Sequence, residues 1–364
     1  MLEPDTMRPC NKAVLFVLIL ISTLSLGAQQ PAKPAAPASQ TQSQPLTVDR
    51  DPVRSPDVEA PATASGEALK KEGGEGYVLH TNVDEVVLNA TVLGGGNQLV
   101  QNLKKDNFQV LEDGVKQNIV SFQHTDLPVS IALVIDNSGS MSKKRPSVNK
   151  AALDLVEASN PQDEAFVVNF SDEAYIDQEF TSNINKLRDG LAHIESRGGT
   201  ALYDAVVASA DKLVSDAKRP KQVLVIVTDG EDNASTLSLE QTIRRVQELS
   251  GPVIYCVGLL FGDEMSRAEV RHARRALDML STETGGIAFF PKNIEQVDEI
   301  AAEVARDIRS QYTIGYHSNK PSNQPGFRRV QVTAEAPGMG KLSVRTRTGY
   351  FPESRAKRAG ATKK

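Results

Sequence analysis

Four short runs of almost uninterrupted apolar residues, 131–135, 165–170, 223–227 and 253–257, with a further strand-like stretch at 287–290, punctuate the middle of this chain. Runs that are apolar on both faces suit strands covered by helices on both sides, as in a parallel sheet. Helical periodicity follows at 148–158, 184–194, 205–213, 239–249, 268–280 and 294–308, with Asn or Ser near several starts as caps. Residues 174–178 read as a short antiparallel edge strand. Such alternation predicts an α/β fold over 127–310: a doubly wound, mostly parallel sheet with flanking helices, Rossmann-like in architecture.

The flanks read differently. Residues 83–92, 108–112 and 115–122 carry strand composition, with turn clusters at Gly94-Gly95-Gly96-Asn97 and Asp113-Gly114. A matching set returns at 311–317, 327–334 and 341–348. Neither set offers enough strands for a secure core. Residues 77–126 and 311–352 are therefore expected to pair into one β-sandwich interrupted by the central domain.

Arg8 and Lys12 precede an uncharged apolar run at 13–26, and small residues follow it, the three-part form of a secretory signal over 1–28. The run is shorter than the ~20 residues a spanning helix needs. Export to a periplasmic, cell-surface or secreted location is expected, with membrane association only if the segment stays uncleaved. Residues 29–76 are rich in Pro, Ala, Gln and Ser and poor in large apolar residues, so they read as a disordered linker, and 353–364 as a basic disordered tail. The net charge of −5 argues against nucleic acid as the partner. The two cysteines, Cys10 and Cys256, exclude a Cys-ligated zinc site, and cleavage of the signal would leave a single thiol.

Chemistry concentrates at three places. The first parallel run ends in Asp136-Asn137-Ser138-Gly139-Ser140-Met141, with Gly139 expected to let the backbone curl so that its oxygens converge. Gly198-Gly199-Thr200 exposes a hydroxyl ahead of a helix, and Val227-Thr228-Asp229-Gly230 puts another carboxylate at a strand end. Ligands of doubly wound sheets gather at the carboxyl edge where strand order reverses. If the strands ending at Asp136 and Asp229 are neighbours, the three loops meet there. Hydroxyl and carboxylate oxygens without His or Cys suit a hard cation, so Asp136, Ser138, Ser140, Thr200 and Asp229 are expected to form a Mg²⁺ site, with Mn²⁺ or Ca²⁺ as alternatives.

This set resembles a von Willebrand factor type A domain with a complete metal-ion-dependent adhesion site (MIDAS), over about Leu127 to Ser310. The resemblance implies that Ser138, Ser140 and Thr200 touch the metal, that Asp136 and Asp229 act through water, and that the remaining vertex accepts an acidic side chain from a protein partner. The signal, linker and terminal strands together resemble an exported bacterial subgroup typical of acidobacteria. A structural or assembly module of the cell envelope, binding without the metal, is the alternative reading.

Rival readings of the same residues are weaker. An EF-hand loop over 136–147 lacks Gly at its sixth position and Glu at its twelfth, where Met141 and Ser147 stand. A phosphotransferase with Asp136 as nucleophile usually wants a second acid two residues on, where Ser138 stands. No Gly-x-Ser-x-Gly elbow surrounds Ser138 or Ser140, and Gly94–Gly96 lacks dinucleotide-loop spacing. No catalytic residues and no small-molecule substrate are expected. Arg267, Arg271, Arg274 and Arg275 read as a solvated helix face opposite Ala268, Ala273 and Leu280, and Cys256 as a core thiol.

Overall fold

A computed structural model of the chain describes residues 85–352 other than 159, 193–195, 250 and 263–264. The signal-like segment 1–28, the linker 29–76, residues 77–84 of the amino-terminal strand region and the tail 353–364 lie outside the described residues.

The amino-terminal strands are β1 (Glu85–Leu93), β2 (Phe108–Glu112), β3 (Val115–Gln117) and β4 (Ile119–Gln123). The chain then enters an alternating region built from β5 (Val129–Asp136), α1 (Arg145–Glu157), β6 (Glu164–Phe170), β7 (Ala174–Thr181), α2 (Ile184–Ala192), α3 (Leu202–Asp216), β8 (Lys221–Thr228), α4 (Leu239–Leu249), β9 (Val253–Gly258), α5 (Arg267–Thr284), β10 (Ala288–Phe289) and α6 (Val297–Arg309). It closes with β11 (Tyr312–His317), β12 (Arg328–Ala334), β13 (Ser343–Arg345) and β14 (Gly349–Tyr350).

The central sheet runs β10-β9-β8-β5-β6-β7, parallel except for the antiparallel edge strand β7. Every residue of β5 and β6 is buried, which is what continuous apolar sequence on a doubly covered strand requires. Alternate residues of β5 serve opposite layers. Ile131, Leu133 and Ile135 pack with Val148, Leu155, Leu187 and Val304 of α1, α2 and α6, whereas Ala132 and Val134 pack with Val206, Val246 and Leu277 of α3, α4 and α5. From β5 the chain moves outward to β6 and β7, then returns to β8 on the other side of β5. Strand order thus reverses at the β5–β8 pair.

The flanking strands form two further sheets, β13-β1-β11-β4 and β14-β12-β2-β3. β1 pairs antiparallel with β11 from Glu85↔His317 to Ala90↔Tyr312, and β2 pairs with β12 from Glu112↔Val330 to Phe108↔Ala334. Leu88, Ala90, Phe108, Val110, Ile314, Tyr316, Val330 and Val332 share one core, so both ends of the chain build a single sandwich. The stretch 115–122 is not one strand. It breaks at Asn118, because β3 pairs with β2 in one sheet while β4 pairs with β11 in the other. On α5 the buried face is Ala273, Ala276, Leu277 and Leu280; Ala268 is exposed, one turn too early to reach the sheet. The four arginines of α5 are exposed, and the Arg274 guanidinium stacks 3.9 Å over the Phe290 ring. Cys256 is a free, buried thiol. Among the described residues no helix is long and apolar enough to cross a membrane.

A buried lysine lies at the opposite end of β8 from the candidate site. Lys221 donates to the Ile308 carbonyl at the end of α6, and burial lowers its pKa from 10.5 to about 8 against the pull of Asp307, Asp126 and Asp163. Below pH 8 both folded and unfolded chains hold the proton, and the full burial penalty acts against folding. Between pH 8 and 10.5 only the unfolded chain holds it, so stability rises with pH by at most about 3 kcal/mol. Denaturant unfolding across this range should show that rise in the wild type and a flatter profile in Lys221→Met.

Candidate metal centre

The three loops singled out in the sequence meet at the carboxyl edge of the central sheet because β5 and β8 are hydrogen-bonded neighbours, paired from Val129↔Lys221 to Ile135↔Val227. Asp136 is the last residue of β5 and is fully buried. Its Oδ1 accepts from the Ser138 amide at 2.8 Å and its Oδ2 from the Thr228 hydroxyl at 2.5 Å. Both oxygens are therefore held by protein donors. Burial still pushes the carboxyl above its usual range, opposed by the Thr228 and Ser138 hydrogen bonds.

Beyond Asp136 the backbone forms a 3₁₀ turn over Gly139–Lys143, closed by the Met141 amide on the Ser138 carbonyl at 3.1 Å. This turn brings Ser138 Oγ and Ser140 Oγ to 3.1 Å of each other. Gly139 is not among the left-handed residues and a Cβ there would meet nothing within 4 Å, so the turn, rather than glycine's freedom, produces the curl. Ser140 Oγ in turn donates to Asp229 Oδ1 at 2.8 Å.

Thr200 reaches the same place from the opposite side. Gly198 has φ +81°, the left-handed region that favours glycine, and a Cβ on Gly199 would lie 2.7 Å from Asn233 Oδ1 and 2.9 Å from Asp172 Oδ1. The paired glycines are thus required here. With no side chain in the way, Asp172 Oδ1 accepts from the Gly199 amide at 2.7 Å and Asn233 Oδ1 from the Thr200 amide at 2.9 Å. Thr200 then lines one cleft of about 240 Å³ together with Ser140, Lys144, Asp229 and Gly230.

The donor set is oxygen only. Among the described residues no group of three or more His, Cys, Asp or Glu side chains is gathered so as to hold a metal, so any ion here must rely on hydroxyls. The spacing suits that demand: neighbouring ligands of an octahedral ion bound at ~2.1 Å lie ~3 Å apart, and the Ser138 and Ser140 hydroxyls are 3.1 Å apart.

Residues 131–231 match the family model of the von Willebrand factor type A domain. The von Willebrand factor type A assignment is made for these residues. The inter-alpha-trypsin inhibitor heavy chain H4 of Homo sapiens is 27% identical over 244 residues, covering 61% of this chain and 25% of that protein. The chain thus spans about a quarter of the length of the curated relatives it matches. Similar solved structures include a von Willebrand factor type A protein from Catenulispora acidiphila, with TM-score 0.44, 14% identity and 72% of each chain covered. Another is proximal thread matrix protein 1 from the mussel byssus with a zinc-occupied MIDAS motif, with TM-score 0.42, 17% identity, and 55% of this chain and 50% of that one covered.

Several residues that shape this cleft carry no motif signal. Thr228 anchors Asp136, while Asp172 and Asn233 hold the Thr200 loop. Arg145, 5% exposed at the start of α1, donates to the Asp136 carbonyl at 3.3 Å and to Asn169 Oδ1 at 3.0 Å, tying β5 to β6 beneath the site. Lys144 places its ammonium 2.5 Å from Asp229 Oδ2.

Proposed function

We propose that this chain is an exported, non-enzymatic binding protein whose von Willebrand factor type A domain holds a divalent cation, Mg²⁺ first and Mn²⁺ or Ca²⁺ in its place, and uses it to bind an acidic side chain of a protein partner. What carries the reading is that Ser140 and Asp229, 2.8 Å apart, line one cleft with Thr200, while Ser138 Oγ lies 3.1 Å from Ser140 Oγ behind it. Ser138, Ser140 and Thr200 are the residues that would touch the ion, and Asp136 and Asp229 would act through water. The bound ion would supply a positive centre that retains its pull on an incoming carboxylate, since neither aspartate neutralises it directly.

The remaining parts of the chain take their roles from that reading. The signal-like segment 1–28 and the resemblance of the terminal regions to exported acidobacterial proteins support export, with residues 29–76 as a tether and 77–126 plus 311–352 as a sandwich that carries the binding domain.

Adding Mg²⁺ or Mn²⁺ to the purified protein is expected to raise its melting temperature in a concentration-dependent way, as a ligand that binds only the folded state must. EDTA should reverse the shift and release any captured partner. Identical melting curves with and without metal would exclude the site.

A further inference from the structure

The site already contains a cation. Lys144 Nζ lies 2.5 Å from Asp229 Oδ2, and Asp229 is 3% exposed, so the pair sits in the cleft rather than in open solvent. Both Asp229 oxygens already have a protein donor: Ser140 Oγ on Oδ1 at 2.8 Å and the ammonium on Oδ2. The same ammonium lies 5.6 Å from the centre of the Phe261 ring, within reach of its face. Lys144, Ser140, Thr200, Asp229 and Phe261 all line one cleft.

We propose that Lys144 is a tethered competitor for the divalent cation, and that metal binding requires its ammonium to leave Asp229. The inference rests on the reading of this cleft as a metal centre and adds how its occupancy is set. Two formal positive charges on the ion and one on the ammonium cannot share a carboxylate without strong repulsion, since like charges a few ångströms apart in a partly desolvated cleft interact far more strongly than in water. Asp136 and Asp229 are the two carboxylates of the cluster, and the ammonium offsets one of those charges. Part of the site's attraction for a cation is thereby taken up within the chain.

The backbone confines the change to the side chain. The Lys144 amide donates to the Met141 carbonyl at 2.8 Å and its carbonyl accepts from the Val148 amide at 3.1 Å, so the residue is pinned where the 3₁₀ turn meets α1. Only the flexible four-carbon stem is left to swing. Glu231 and Glu269 line the same cleft and give a displaced ammonium acidic neighbours. Displacing the lysine also frees Asp229 Oδ2 to hold a water of the ion's shell, the role the proposed site gives that residue. Metal uptake and ammonium release are thus one exchange.

The experiment is a Mn²⁺ titration of the full chain at one fixed pH, by calorimetry or by the electron paramagnetic resonance of free Mn²⁺, for wild type, Lys144→Met and Lys144→Arg. Lys144→Met should bind Mn²⁺ roughly tenfold more tightly than wild type, within the usual span of coupling between two sites, and Lys144→Arg, which keeps the charge, should stay close to wild type. A second readout follows the lysine itself: amine-selective acylation quantified by mass spectrometry should label Lys144 several-fold faster in saturating Mg²⁺ than in EDTA. Metal binding by wild type with no gain in Lys144→Met would overturn the competitor role and leave the metal centre standing. Absence of Mn²⁺ binding in all three proteins would overturn both.

Discussion

Replacing Glu112 by alanine is expected to cost the sandwich about 3–5 kcal/mol, the range for breaking a buried ion pair by removing one partner. Glu112 is fully buried at the end of β2 and accepts from Tyr316 at 2.8 Å, Tyr350 at 2.9 Å and the Ser318 hydroxyl at 2.6 Å, with Arg328 at 3.6 Å. Its removal takes the counter-charge from the Arg328 guanidinium, itself 4% exposed and otherwise held by the Ser318 hydroxyl and the Lys320, Pro321 and Gln324 carbonyls, and leaves two phenols without their acceptor. All four partners lie in the carboxyl-terminal strands and their connections, so the loss acts on the joint between the two ends of the chain. Against a typical stability of ~5–15 kcal/mol this is a large fraction. Hydrogen exchange should show β1, β2, β11 and β12 losing protection while β5, β6 and β8 keep theirs. Glu112→Gln, which keeps the shape and an acceptor oxygen, should cost less, and an unchanged unfolding midpoint in Glu112→Ala would contradict the account.

Asp136→Ala is expected to lower divalent-cation affinity by more than 100-fold. The carboxylate is the only group that fixes both the Ser138 amide and the Thr228 hydroxyl, and through the 3.1 Å contact between Ser138 and Ser140 it positions the hydroxyls as well as supplying negative charge. Removing it loses the charge and the frame together. Asp136→Asn keeps one acceptor oxygen for the Ser138 amide, so the gap between the Asn and Ala variants measures the frame separately from the charge. Calorimetric titration with Mg²⁺ and Mn²⁺ reads both. The variants should remain folded, because burial already disfavours the Asp136 charge in the metal-free protein. Affinity equal to wild type in both would remove Asp136 from the proposed site.

Much of the α/β region was legible because its strands are buried on both faces and need unbroken apolar sequence. Residues 239–249 and 108–112 coincide with α4 and β2, and other elements differ by a few residues at their ends. The sandwich was harder to delimit. Between 115 and 122 the sequence stays strand-like through a change of sheet, since crossing from β3 to β4 alters the pairing partner and not the residue types. β14 has only two residues and too little pattern to be seen. Within the cleft, the glycines and oxygen-bearing residues carry a spacing that sequence exposes, whereas Lys144, Arg145, Thr228 and Asn233 are ordinary residues made important by long-range proximity. Gly139 shows the converse error: a glycine in a loop invited a conformational argument that the 3₁₀ turn makes unnecessary.

The interrupted sandwich has a consequence for how the chain is made. Ala90 must wait for Tyr312 to emerge from the ribosome before their strands can pair, and Phe108 for Ala334. Until then β1 lacks both of its neighbours and β2 has only β3, so both present open edges, the kind of surface on which chains aggregate. The α/β region has no such delay, because its strands and helices all lie within one continuous stretch. Maturation is therefore expected to run from the inside outward: the inserted domain can close as soon as its own stretch is made, whereas β4, β1 and β2 gain β11 and β12 only after it.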